Sequence, residues 1–167
     1  MSRKLLDFSV SLKDKVFRFA LRLLNDHDDA QDAVQDVFEK LWTRRKSLRK
    51  YDNIEALSLK MTRDLCLNRL KHQKVKREKL KNIARNEKYL YYKPSYEEKE
   101  MEDITKQLIN KLSAKQKMVI QLRDVEGMEF EEISQILELN INAIRMNLSR
   151  ARNKIREELL KIMNYGL

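Results

Sequence analysis

Residues 130–155 read FEEISQILELNINAIRMNLSRARNKI, and this stretch decides the fold. It predicts two helices joined by a short turn, the second long and basic. With Ile144 at zero on a 100°-per-residue wheel, Leu148, Ala151, Ile155, Leu159 and Ile162 fall within roughly 60° of one direction, which makes them the expected buried stripe. The opposite side carries Asn142, Met146, Ser149 and Asn153, flanked by Arg145, Arg150 and Arg156. Arg can bind guanine edges bidentately, Asn can read adenine, and an outward Met can touch a thymine methyl, so this face suits a DNA major groove. Asn140 is the expected N-cap of the second helix, after a turn at Glu138-Leu139-Asn140.

Working outward, the preceding residues extend the same helical pattern. A helix is expected from Ile104 to about Leu112. Ser113 and Gln116 then stand in capping-box spacing before a helix that turns Met118, Val119 and Leu122 inward, and Glu126-Gly127-Met128 breaks it. The next helix buries Ile133, Ile136 and Leu137. Two glycines and one proline in 167 residues leave little turn chemistry for a sheet. The fold class is therefore all-α: two small helical domains joined by a linker, the second a helix-turn-helix domain. The expected divisions are residues 1–81, a linker at 82–102, and 103–167. The linker holds Pro94 and tyrosines 89, 91, 92 and 96, mixes its charges and shows no clean period.

In the first domain, a helix from about Ser11 to Leu24, with Ser11 and Asp14 as its capping pair, presents Val16, Phe19, Ala20, Leu23 and Leu24 to the core. A second helix, beginning near Asp28 or Asp29, presents Ala30, Val34, Val37, Phe38, Leu41 and Trp42. Opposite them lie Asp29, Asp32, Asp36 and Glu39, flanked by Gln31 and Gln35. The helix dipole accounts for acids in the first turn but not for Asp36 and Glu39. Such an acidic face would repel DNA and suits a basic partner protein, or simply solvent.

From Lys40 to Lys81 the sign inverts, with 15 Lys and Arg against four acids. A loop from Lys46 to Asn53 carries Arg49, Lys50 and Tyr51. The third long helix, from about Ile54 to His72, has Leu57, Met61, Leu65 and Leu70 as expected core, and Lys60, Arg63, Asp64, Asn68 and Arg69 on its polar side. Tyr51, Asn53 and Asn68 add stacking and hydrogen-bonding groups to the charge, as nucleic acid requires.

Composition bounds the function. A net charge of +10 implies a polyanionic partner, and nucleic acid fits better than membrane because no anchor, leader or spanning run is present. The expected location is the cytoplasm, without membrane insertion. The lone Cys66 excludes an internal disulfide, and with only His27 and His72 there is no metal-ligand cluster; no cofactor is expected. No phosphate loop or nucleophile motif occurs, so no catalytic residues are expected and the chain is not read as an enzyme.

The order of DAQDAVQDVFEKLW, a basic helix, a linker and LSAKQKMVIQLRDVEGMEFEEISQILELN followed by AIRMNLSRARNKIRE resembles the extracytoplasmic-function class of bacterial RNA polymerase sigma factors over nearly the whole chain. The resemblance implies a region 2 that docks on the clamp coiled coil of the largest polymerase subunit and reads the promoter −10 element. It also implies a region 4 that binds the polymerase flap and reads the −35 element, and an anti-sigma factor as a further partner. By matching positions, Asp29, Asp32, Gln35, Asp36 and Phe38 would bind core polymerase. Leu48, Arg49, Tyr51, Asn53, Arg63, Asp64 and Asn68 would contact −10 DNA, and Asn142, Arg145, Met146, Ser149, Arg150 and Asn153 would contact −35 DNA. Asp64 stands where the family usually has Asn, and Asn68 where an acid is common. The region 4 turn lacks the frequent glycines, having Glu138 and Asn142. The rival reading is a stand-alone helix-turn-helix regulator, which would dimerise on a palindrome.

Overall fold

The computed structural model describes residues 3–48, 50–83 and 101–165. Within them the chain forms α1 (Arg3–Leu24), α2 (His27–Thr43), α3 (Arg45–Leu48), α4 (Ile54–Ile83), α5 (Met101–Asn110), α6 (Ala114–Ile120), a π-helical segment (Gln121–Val125), α7 (Phe130–Leu137) and α8 (Ile141–Tyr165). The all-α expectation holds. Most of the expected linker, with Pro94 and the four tyrosines, lies outside the described residues.

Helices α1, α2 and α4 pack on one another through Val16, Phe19, Ala20, Ala30, Val37 and Leu59, all fully buried. Each such large side chain removed from water contributes about 1.5–3 kcal/mol. Two residues make the sharp corner between α1 and α2. Asn25 takes the left-handed conformation (φ 52°), which a short polar side chain tolerates. Asp26 then caps α2, its carboxylate accepting from the Asp29 amide at 2.9 Å.

Four expectations in this half are corrected. Helix α1 begins at Arg3, so Ser11 and Asp14 lie within it and cap nothing. Trp42 is 70% exposed: it sits on the rim of the α2 stripe, where the Arg45 guanidinium covers its ring at 4.9 Å. On α4 the buried positions are Ala56, Ser58, Leu59, Thr62, Arg63 and Cys66, while Leu57, Met61, Leu65 and Leu70 are only half-buried. Small side chains let α4 approach its neighbours closely. Ser58 and Thr62 donate their hydroxyls back to the carbonyls of Ile54 and Ser58, both at 2.7 Å, so burial leaves neither unsatisfied. Lastly, α4 runs on to Ile83, well past His72, because the basic run has good helix formers and no breaker.

In the other half, Ser113 and Gln116 form the expected reciprocal cap of α6. That helix widens into the π-helical segment before Gly127 (φ 69°) turns the chain. Ile133, Ile136, Leu137, Ile144, Leu148 and Ala151 fill the angle between α7 and α8. Asn140 caps α8, accepting from the Ala143 amide at 2.8 Å. The turn is made by Glu138, which adopts φ 54° and ψ 40°. Asn142 lies inside α8 and takes no part in that conformation, contrary to the expectation that it would stand in for a turn glycine. The expected stripe fades toward the C-terminus of α8: Ile155 and Leu159 are half-buried and Ile162 is 43% exposed, since the last turns extend beyond the neighbouring helices.

The halves pack together, α4 against α7 and α1 against α6. Arg18 grips the Glu126 carboxylate with two hydrogen bonds of 2.9 and 2.8 Å. Arg22 donates to buried Gln121 at 2.9 Å, and Gln121 in turn donates to Glu126 at 3.0 Å. Burial pushes the Glu126 carboxyl up, but the hydrogen bonds from Arg18 and Gln121 outweigh it and hold the group below its ordinary value.

Candidate nucleic-acid interface

Helix α8 presents the outward face that the wheel anticipates. Asn142, Arg145, Met146, Ser149, Arg150 and Asn153 are all exposed, Met146 to 47%. None of them ion-pairs with another described residue. Arg145, Ser149 and Asn153 line a cleft of about 370 Å³ together with Phe130, Leu148, Arg152 and Arg156. Asn142, Met146 and Arg150 stand outside it. Arg152 is already engaged, gripping Asp124 through bonds of 3.0 and 2.5 Å.

Sequence reasoning missed one member of this cleft as a functional element. Phe130 opens α7, and its ring carries two guanidinium groups: Arg123 at 4.6 Å from the centroid and Arg145 at 5.1 Å. Arg123 is itself fixed, donating to the Met128 carbonyl at 2.7 Å and to Glu129 at 3.1 Å. The spacing of residues 123, 130 and 145 follows no single helical period, so no sequence pattern announces the cluster.

The −10 candidates divide into two sets. Tyr51 (51% exposed), Asn53 and Leu48 lie on or beside the short connection into α4; Arg49 falls outside the described residues. Asn53 also caps α4, accepting from the Ala56 amide at 2.9 Å. Ten residues further on, roughly 15 Å along the helix axis, stands Arg63. It is 7% exposed, not on an open polar face as expected, because α7 covers it. Its guanidinium donates to the Ile136 carbonyl at 2.6 Å, to Glu138 at 2.7 Å and to neighbouring Asp64 at 2.8 and 2.5 Å. Lys60 joins Glu138 at 2.6 Å, and the two cations bring the Glu138 carboxyl down to about 2. Asn68 remains exposed.

The acidic face of α2 is partly neutralised within the protein. Arg69 donates to Asp36 at 2.6 Å and to the Asp29 carbonyl at 2.9 Å, and Gln73 donates to Asp29 at 3.2 Å. Asp36 therefore has an internal reason to be acidic, which the sequence reading denied it. Asp32, Gln35 and Glu39 remain exposed and form no side-chain hydrogen bond or ion pair among the described residues. Phe38 is half-buried against the core.

A helix-turn-helix with an exposed Arg, Asn and Ser face, packed against a unit of α1, α2 and α4 with an acidic side and a basic side, defines a two-part helical DNA-binding protein. Residues 10–75 match the family described as Sigma-70 region 2, and residues 103–155 match Sigma-70, region 4. The chain is 25% identical to the RNA polymerase sigma factor SigV of Bacillus subtilis, over 89% of this chain and 87% of that protein. It is 24% identical to the ECF RNA polymerase sigma factor SigE of Mycolicibacterium smegmatis, over 89% of this chain and 58% of that longer protein. Among solved structures it is similar to the sigma factor RpoE in its complex with the anti-sigma factor NepR from Bartonella quintana. That match has a TM-score of 0.70 and 26% identity, covering 96% of this chain and 99% of the other. The chain belongs to the extracytoplasmic-function class of RNA polymerase sigma factors.

Proposed function

We propose that this sigma factor docks on the clamp coiled coil of core RNA polymerase through the α2 face centred on Asp32, Gln35 and Phe38, with Asp29 and Asp36 at its edge. The unit at 1–81 then reads the −10 element through the connection at 48–53 and through Arg63, Asp64 and Asn68 of α4. The unit at 103–167 contacts the flap and reads the −35 element with the outward face of α8. Polymerase fixes the spacing of the two readers, so tethering supplies the effective concentration that each short face lacks alone. The protein works in the cytoplasm, and polymerase performs the catalysis.

The observation that carries this reading is the outward face of α8. Exposed Asn142, Arg145, Met146, Ser149, Arg150 and Asn153 make no ion pair among the described residues, so their hydrogen-bonding capacity is available to DNA. Burial of Arg63 under α7 and Glu138 supports a second element. The packed arrangement is the resting one, and engagement of polymerase and promoter draws region 4 away from α4. A partner of the anti-sigma class fits the same picture, as RpoE from Bartonella quintana is found in complex with NepR.

The test is transcription in vitro from genomic fragments with core polymerase, adding the wild-type chain or Asp32→Lys. Discrete start sites with the wild type and none with the variant are expected. Tight palindrome-dependent binding by a dimer of the free chain, with no polymerase-dependent start sites, would establish the stand-alone regulator instead.

A further inference from the structure

We infer that Phe130 is a positioning residue for −35 recognition, its ring holding the Arg145 guanidinium flat and aimed so that the donor edge of the fork points to a base. The inference rests on the reading of Arg145 as a base-contacting residue. A guanidinium over an aromatic ring spends its face on the ring and keeps its in-plane N–H groups free, and those are the groups that a guanine edge requires. Arg145 lies 5.1 Å from the Phe130 centroid and has no carboxylate partner among the described residues, so the ring is the contact that orients it.

The ring is itself restrained. Phe130 is half-buried against the core and stands one residue after Glu129. Arg123 lies 4.6 Å from its centroid and is anchored to the Met128 carbonyl and to the Glu129 carboxylate, which offsets the charge of the first guanidinium. A long, rotamer-rich side chain is thus placed before DNA arrives, and less freedom is lost on binding. The same ring forms part of the wall of the cleft holding Ser149 and Asn153, so Arg145 is aimed where the other candidate readers face.

The experiment uses holoenzyme assembled from core polymerase and full-length sigma factor, with a promoter library randomised across the −35 element. Base preference is read column by column for the wild type, Arg145→Ala, Phe130→Leu and Phe130→Tyr. Arg145→Ala is expected to flatten one column. Phe130→Leu, which keeps an apolar side chain and removes the ring, is expected to weaken that same column about two- to fivefold, the size of an exposed cation–π contact. Phe130→Tyr is expected to restore it. A second measurement needs no substitution at 130: the Arg145 side-chain protons of the free wild-type protein should show upfield ring-current shifts by NMR.

Selectivity lost at the Arg145 column only under Arg145→Ala, with Phe130→Leu unchanged there or weakening every column equally, overturns the positioning role. Arg145 protons at random-coil positions overturn it as well. If Arg145→Ala leaves every column intact, the base-reading assignment itself fails, and the inference falls with it.

Discussion

Arg63 Nη2 donates to Glu138 Oε2 at 2.7 Å, closing an ion pair between residues 75 positions apart and tying the α4 helix to the turn of the helix-turn-helix. Lys60 adds a second cation to the same carboxylate at 2.6 Å. Glu138→Gln removes the charge while keeping the shape, and should loosen the packing of α7 on α4. Dyes placed on residues 39 and 150 would report it as a fall in energy transfer at neutral pH, and unchanged transfer would refute the clasp.

The same contact should respond to acid. The folded-state pKa of Glu138 is depressed from 4.5 to about 2 by its hydrogen bonds with Lys60 and Arg63, so its contribution is present above the ordinary carboxyl pKa and is lost as pH falls from about 4.5 through about 2. Glu126, also depressed, weakens in the same direction. Energy transfer in the wild type should therefore fall across this window, while Glu138→Gln should already be low at pH 7 and change less. Equal acid responses in the two proteins would remove Glu138 as a cause.

On α2, Asp32 and Asp36 should separate binding from stability. Asp32 has no side-chain partner among the described residues, so Asp32→Lys should abolish polymerase binding and leave the thermal midpoint unchanged. Asp36→Lys also breaks the pair with Arg69 at 2.6 Å and sets two cations together. Because the Asp36 side chain is 44% exposed, the pair itself contributes no more than about 0–1 kcal/mol, and the midpoint should fall only slightly. Pull-down with core polymerase and thermal melting of both variants check this.

Asn53 has a capping role and a proposed −10 contact, which can be separated. As the N-cap of α4 it should cost about 1 kcal/mol when replaced by Ala, measured by denaturant unfolding. Asn53→Asp keeps a capping oxygen and should retain stability, while placing a negative charge where a −10 base would approach. Loss of transcription with preserved stability in Asn53→Asp would assign the residue to DNA; normal transcription in that variant would leave it a cap alone.

Cys66 is fully buried, and burial pushes its thiol up to about 12, with nearby Arg69 opposing weakly. A thiol reagent at pH 8 should label the folded chain far more slowly than the urea-unfolded one. Rapid labelling of the folded protein would show that α4 opens locally at that point. The protection also leaves engineered surface cysteines free for selective dye attachment.

Much of this architecture is legible in the chain because amphipathic period and capping chemistry are local. The α7–α8 pair, the Ser113–Gln116 box, the Asn140 cap and the buried set Ile133, Ile144, Leu148 and Ala151 all follow from spacing alone. Illegible features depend on partners distant in sequence. Nothing near Arg63 announces that α7 will cover it, and nothing near Asp36 announces Arg69. On α4 the eye follows the large apolar residues, whereas close helix approach selects Ala56, Ser58, Thr62 and Cys66. Phe130 reads only as the first residue of a helix until two arginines from other segments arrive over its ring.

The left-handed turn residue at 138 carries a consequence for evolution of this chain. A glutamate at φ 54° bears a steric penalty of about 1–2 kcal/mol that a glycine would avoid. Glycine would make region 4 more comfortable as an isolated reader and would delete the only carboxylate that reaches both Lys60 and Arg63 among the described residues. A single codon at this turn thus sets an exchange between the ease of folding one half and the coupling of the two, and relatives with glycine here would be expected to keep their halves in looser company.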